Sequence, residues 1–219
     1  MQQVDYTKNE YHEKRHPEFI RNDVLKLAWA KCAKKFYFNN LNNGMEIFEF
    51  GGALGYNLLA LTEHHRCHML ELSEIGRLNA EKFGIITYSD TREIAGKKFD
   101  VVLCRHVLEH VDNPLEILSL LRTLLKPNAK LVLVLPVEEP SAPPLPDDIN
   151  FHLFTWNPQT IFNLLKRAGY SDISYRYQFF NGRNLCLPVL KILGAGSYVK
   201  AVELVGHLTR SRELVIVCQ

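Results

Sequence analysis

The run at residues 45–55, MEIFEFGGALG, constrains this chain more than any other stretch. A short apolar segment carries an acid, Glu49, and runs into a glycine-rich turn. Beyond the turn, residues 56–61 place apolar side chains at helical spacing. A strand that ends in glycines and opens into a helix brings backbone N–H groups close to a bound small molecule. Only residues without bulk allow that approach. The next apolar run, at 67–72, carries a second acid, Glu71, sixteen residues beyond Gly55. An acid at that point can grip both hydroxyls of a ribose. Turn and acid together read as a nucleoside-cofactor site.

The glycine spacing narrows the choice of nucleoside. Counted from Gly51, the third position is Ala53 and the sixth is Tyr56, so the dinucleotide fingerprint fails twice. No lysine follows these glycines, so a phosphate-cradling loop is excluded as well. What stands is Glu-x-Gly-x-Ala-x-Gly: Glu49, Gly51, Ala53 and Gly55. It resembles the first motif of the class I S-adenosylmethionine (SAM)-dependent methyltransferases, with alanine where the middle glycine is commoner. Alanine is still small enough for the turn to pass close to a ligand. Taken alone, such a loop is also what a plain tight strand–helix turn looks like.

The resemblance continues beyond the loop. Residues 99–136, FDVVLCRHVLEHVDNPLEILSLLRTLLKPNAKLVLVLP, and 152–170, HLFTWNPQTIFNLLKRAGY, are similar to small-molecule methyltransferases whose fourth strand leads into a Leu-Glu-His turn. Lys126-Pro127-Asn128-Ala129 matches the family's Lys-Pro-x-Gly-like turn except at its last position. The likeness covers roughly residues 45–170 in order and spacing. It implies an α/β fold: a Rossmann-like, doubly wound, mostly parallel seven-stranded sheet with an antiparallel last strand. Residues 1–44 are expected to form an N-terminal arm and helix covering the cofactor site. Residues 45–219 are expected to form the SAM-binding domain, with a helical insertion at about 181–212.

Bulk properties agree with one globular domain. At 219 residues, 47% hydrophobic and 23% charged, the chain has material for a sizeable core. A net charge of +2 with dispersed Lys and Arg gives no basic stripe for nucleic acid. Five single cysteines without a C-x-x-C pair suit reduced thiols, and a cytoplasmic location is expected. The first sixteen residues, MQQVDYTKNEYHEKRH, lack the apolar core of a secretory signal, and no segment has the apolar length to span a bilayer.

Periodicity predicts the elements. A helix is expected over 17–38, burying Phe19, Ile20, Val24, Leu27, Ala28 and Cys32. Strands are expected near 45–50, 67–72, 85–88, 99–104 and 129–136, with helices near 55–64, 74–83 and 113–125. That alternation means right-handed crossovers and a parallel sheet. The ten residues between Asp90 and Phe99 are too few for a full helix, so one crossover is abbreviated. The proline-rich stretch 137–149 is an exposed loop at the ligand-binding edge, either a lid or a solvated connector. A helix over 157–168 and strands at 173–180 and 213–218 complete the chain. The 32 residues between Phe180 and Glu213 exceed a hairpin, and Val199, Val202 and Val205 mark an amphipathic helix within them. Its apolar face packs on the sheet or a second subunit, or else walls an apolar substrate pocket or meets lipid.

The resemblance assigns roles to single positions. Glu49 orients the glycine turn and attracts the positively charged methionyl part of the cofactor. The backbone at Gly51, Gly52, Ala53 and Gly55 lies against it, Glu71 takes the ribose hydroxyls, and Leu72 flanks the adenine. Asp90 and Thr91 follow strand three, where the family places an acid that accepts from the adenine amino group; a plain turn aspartate is the alternative. Cys104, Arg105 and His106 follow strand four beside the methionyl group, and Tyr11 and Arg15 fold over the cofactor from the N-terminal arm. His106, His110 and His152 are the candidate catalytic residues, because an imidazole titrates near working pH and can take a proton from a hydroxyl acceptor. If the segment is helical, His106, Glu109 and His110 share one face. Some quinone-type relatives hold a divalent metal at this place, but no metal is expected here.

The expectation is therefore SAM-dependent methyl transfer to a small molecule, at a hydroxyl oxygen of a sugar, quinone-like or lipid-linked acceptor. Peripheral lipid contact fits, as do a monomer or a homodimer. A non-catalytic methyltransferase-like module acting through a protein partner is the alternative.

Overall fold

A computed structural model describes residues 22–139, 143, 148 and 150–219. Helix α1 (Asp23–Tyr37) opens on Asn22, whose side chain accepts from the Leu25 N–H at 3.1 Å. Its buried face carries Leu25, Ala28, Trp29, Cys32 and Phe36, while Val24 and Leu27 are exposed. Ala28 and Cys32 of the expected stripe are buried, Val24 and Leu27 are not, and Phe19 and Ile20 lie outside the described residues, so the described face is rotated from the expected one. The bulk of Trp29 and Phe36 decides the rotation, since both rings pack on Phe180, at 5.3 and 6.1 Å between centroids.

Seven strands form one sheet: β1 (Glu46–Phe50), β2 (Arg66–Leu70), β3 (Ile86–Tyr88), β4 (Phe99–Arg105), β5 (Leu125–Pro136), β6 (Ser174–Phe179) and β7 (Arg212–Cys218). Their order is β3-β2-β1-β4-β5-β7-β6. The first five pair in parallel, and β7 runs antiparallel to both β5 and β6. The strand order reverses between β1 and β4, so a crevice opens beyond their carboxyl ends. Helices α2 (Glu74–Glu81), α3 (Pro114–Thr123), α4 (Pro158–Arg167) and α5 (Leu187–Thr209) complete the layers. The abbreviated crossover is a single 3-10 turn, Thr91–Ile94.

Alternation along the strands divides the side chains between two cores. Ile47, Val101, Leu103, Val132, Val134 and Val215 face α1 and α5. Phe48, Phe50, Val102, Cys104, Leu133 and Ile216 pack on the other side of the sheet, where Phe48 stacks on Phe99. Parity therefore puts Glu49, Arg105 and Glu213 together on the first face, a placement with consequences for the site.

One expected element is absent. Residues 53–64 form consecutive tight turns rather than a helix. Bonds from Leu58 to Gly55, Leu61 to Leu58 and His64 to Leu61 repeat every three residues. Gly55 has φ +80°, which a continuing helix cannot contain. The apolar spacing still succeeds in burying Leu54, Leu58 and Leu61. Burial was legible in that pattern; the hydrogen-bonding scheme was not.

Candidate active site

The crevice beyond β1 and β4 is a cavity of about 570 Å³. One wall is the glycine turn at Gly51, Gly52 and Ala53, continued by Glu71, Leu72 and Thr91. The lining continues with Arg105, His106, Glu109, His110 and His152.

The turn is held tightly. A Cβ at Gly51 would lie 2.5 Å from the Val107 side chain, and one at Gly52 would collide with Met69. Glu71 fixes the loop from below, accepting from the Ala53 N–H at 2.8 Å and the Ser73 N–H at 2.9 Å. Ala53 has φ +48°, so alanine occupies a left-handed position that favours glycine. Glu49 is fully buried beneath the turn. Its Oε1 accepts from Asn57 Nδ2 at 2.6 Å, and Asn57 Oδ1 in turn accepts from the Trp29 indole at 2.8 Å. Glu49 Oε2 has no partner, and burial pushes the carboxyl up to about 7.

The lining at Arg105 and His106 is built on a buried acid the sequence reading did not single out. Glu213, on β7, accepts from Arg105 Nη2 at 3.1 Å and from the Tyr37 hydroxyl. His106 Nε2 lies 3.2 Å from the same carboxylate. Burial alone would raise Glu213, but Arg105, His106 and Tyr37 hold it below the usual carboxylate range. Beside an ionised Glu213, Nε2 carries the proton and Nδ1 the lone pair of a neutral imidazole. Burial and the Arg105 charge lower His106, against the opposing pull of Glu213. His106 itself has φ +53°. A histidine held in that region at a cavity wall is strain of the kind found at functional sites.

Glu109 follows in the 3-10 turn Leu108–His110. Both its oxygens are buried without a hydrogen-bond partner, and burial pushes the carboxyl up to about 8. The His110 and His152 rings meet edge to face at 4.8 Å, and Glu138 lies 2.6 Å from His152 Nδ1. Ligand atoms of Glu109, His110 and His152 all lie within 4.8 Å of one another, a donor set that a divalent cation could share. The grouping differs from the expected helical face, because His106 turns to Glu213 and His152 takes its place beside Glu109.

Other expected site residues stand elsewhere. Cys104 is fully buried in the far core, and Asp90 caps the 3-10 turn with its carboxylate 2.8 Å from the Arg92 guanidinium. Neither lines the cavity, and Gly55 and Glu49 lie behind its wall. Tyr11 and Arg15 lie outside the described residues. Tyr37, Trp29 and Arg183 were missed. The Arg105 and Arg183 guanidiniums lie over the two-ring system of Trp29, at 5.2 and 5.0 Å, beside a small recess adjoining the glycine turn. Glu213 did leave a signal, as an acid opening an otherwise apolar strand.

Comparison with known proteins finds methyltransferases. A ubiquinone biosynthesis O-methyltransferase of Cereibacter sphaeroides is 29% identical over 124 residues, 49% of this chain and 50% of that protein. The chain thus aligns with about half the length of that curated relative. A SAM-dependent methyltransferase of Thermotoga maritima superposes with a TM-score of 0.62 at 16% identity, covering 96% of this chain and 98% of that one. A Burkholderia thailandensis 1,6-didemethyltoxoflavin N1-methyltransferase superposes with a TM-score of 0.60 at 14% identity, covering 95% and 83%. At such identities the structures show a shared fold. Residues 11–175 match the family described as Methyltransferase domain, and the chain belongs to that family.

Proposed function

We propose that the protein is a SAM-dependent methyltransferase that moves a methyl group to the hydroxyl oxygen of a small molecule. The observation that carries this reading is the pairing of two features in one cavity. A glycine turn braced by Glu71 shares its lining with an imidazole whose Nε2 is held by Glu213.

The residues present fit the cofactor. Glu49 Oε2, buried and unpartnered behind Gly52, offers negative charge through the turn to a cationic group bound on its far side. Glu71 holds the loop through both oxygens and lines the cavity, where its carboxylate can meet hydroxyl donors. Leu72 and Thr91 give the same wall a side for a flat ring. SAM would supply an activated methyl on a sulfonium, whose transfer to the acceptor oxygen leaves S-adenosylhomocysteine as a neutral thioether.

The chain supplies position and a place for the proton. His106 Nδ1 accepts the proton of the acceptor hydroxyl, and Glu213 keeps the imidazole in the tautomer that can do so. His110 and His152 border the same space, with His152 oriented by Glu138. The name of the Cereibacter relative, an O-methyltransferase, supports oxygen as the acceptor atom.

Calorimetric titration with S-adenosylhomocysteine, with NAD as the parallel control, tests the reading. Micromolar binding of the former alone is expected. A folded sample that binds neither would overturn it in favour of a non-catalytic module. Methyl transfer to a panel of phenolic and polyol acceptors, followed with labelled SAM, then separates oxygen from nitrogen acceptors.

A further inference from the structure

The helical insertion ends in an apolar tip that nothing among the described residues covers. Leu185 is 75% exposed, Ile192 78% and Leu193 65%. Leu185 precedes the helix in a turn, and Pro188, Lys191 and Ile192 are exposed on its first turns. Immediately beyond, α5 breaks at Gly194, whose φ is +78°, and a Cβ at Gly194 or Gly196 would meet nothing within 4 Å. The break makes this end of the helix a protruding corner. The other half of α5 is different: Tyr198, Val199 and Val202 are buried in the core shared with α1.

Charge says what such a corner suits. From Ile173 to Val202 the chain has no acidic residue, but it has Arg176, Arg183, Lys191 and Lys200. The first acid beyond, Glu203, is engaged by Lys35 at 2.5 Å. Lys191 and Lys200 are both exposed, and they leave the corner cationic around its apolar apex. Large apolar side chains flanked by lysine, on a stretch of chain with no acid before Glu203, match the interfacial zone of an anionic bilayer. A convex apex of three large side chains is a poor basis for a flat, stable dimer face. No helix of the described residues is long and apolar enough to cross a membrane, so contact would be peripheral.

The corner also follows closely in sequence on a residue of the small recess at the glycine turn. Arg183, two residues before Leu185, lines the recess beside the glycine turn, together with Gly52, Ala53 and Arg105. We propose that the segment from Leu185 to Gly196 is a wedge that seats the protein on an anionic lipid surface, with the recess lined by Arg183 close to it in the chain. Among small-molecule acceptors this selects one presented at the lipid interface, a step that rests on the methyl-transfer reading; the seating does not.

Vesicle co-sedimentation of the full chain tests the seating without cofactor or acceptor. Wild type is expected to pellet with phosphatidylglycerol-containing vesicles and at least tenfold less with pure phosphatidylcholine, and to be released as salt rises. The double variant Ile192→Ser/Leu193→Ser is expected to lose at least tenfold of the partition. Lys191→Glu is expected to lose several-fold. Both variants should keep their melting temperature and S-adenosylhomocysteine affinity, because these side chains are mostly exposed and line neither the cavity nor the recess. Failure to pellet, or equal pelleting of wild type and the double variant, overturns the proposal. So does a dimeric wild type, by sedimentation equilibrium, that the double variant turns into a monomer, since a second copy would then own the corner. Loss of S-adenosylhomocysteine binding with vesicle binding intact would overturn the methyl-transfer reading alone.

Discussion

His106 Nε2 lies 3.2 Å from Glu213 Oε2, joining the end of β4 to a strand that begins more than a hundred residues later. The contact fixes which imidazole nitrogen keeps its proton. It also ties the cavity wall to Arg105, whose Nη2 lies 3.1 Å from the same oxygen. The residues matched by the family end at 175, so this acid belongs to the part of the chain that the family match does not describe.

If Glu213 holds the tautomer, Glu213→Gln lowers kcat about 10- to 100-fold, within the usual contribution of a positioned base. S-adenosylhomocysteine affinity changes less than twofold. The carboxylate raises His106 against burial and Arg105, so its neutralisation moves the acid limb of the kcat profile to lower pH. A merely structural Glu213 would lower the melting temperature and leave that limb in place. His106→Asn guards against misfolding. Asparagine tolerates the positive φ of this position but offers no base, so kcat collapses while stability holds.

Ala53 carries a second, simpler prediction. At φ +48° its Cβ crowds the backbone, a cost of roughly 1 kcal/mol that glycine does not bear. Ala53→Gly is therefore expected to stabilise the protein by up to about 1 kcal/mol, offset in part by greater freedom of the unfolded chain. Chemical denaturation measures it. A destabilised variant would mean that the methyl group packs usefully against its surroundings.

Much of this arrangement was legible before any coordinates. The strand sequence, the glycine turn and the two acids at strand ends are local signals, each confined to a few residues, and the parallel pairing of the first five strands follows from the alternation of elements. The middle residue of the turn was read for its size, whereas its backbone angle is what matters. Glu213 was read only as the start of a strand. Its role depends on β7 lying beside β5 in antiparallel register, Glu213 opposite Pro136, a long-range pairing that no local pattern encodes. Strand parity would have placed Glu49, Arg105 and Glu213 on one face once that pairing was known. The rotation of α1 and the turns at 53–64 were hidden for the opposite reason: several helical or turn-like paths bury nearly the same apolar set.

Glu71 is expected to show two separable effects. Its oxygens accept from Ala53 and Ser73, so Glu71→Ala strands two backbone donors and costs about 1–3 kcal/mol. Glu71→Gln keeps one acceptor and loses less stability. Both variants are expected to weaken S-adenosylhomocysteine at least tenfold, because an amide cannot give two hydroxyl donors the charge-assisted bonds of a carboxylate. Melting curves and calorimetry on the two variants separate the roles. Unchanged affinity in Glu71→Gln would remove this residue from the ligand.

Glu49 links the site to pH with two effects of opposite sign. Its folded carboxyl sits at about 7 against an ordinary 4.5, so the native state holds the proton more tightly than the unfolded chain. Stability from this group is complete below pH 4.5 and is lost as pH rises towards 7, by at most about 3 kcal/mol at 1.36 kcal/mol per unit. Glu49→Gln should flatten the melting temperature over that window. Cofactor binding runs the other way. A cationic group across the turn from the unpartnered Oε2 favours the ionised acid, so binding near pH 6 should release a proton and tighten as pH rises through 7. Calorimetry in buffers of differing ionisation enthalpy reads that proton directly. Heats that do not depend on the buffer, with a sloping melting profile in wild type, would leave Glu49 a buried structural acid and move the cationic end of the ligand elsewhere in the cavity.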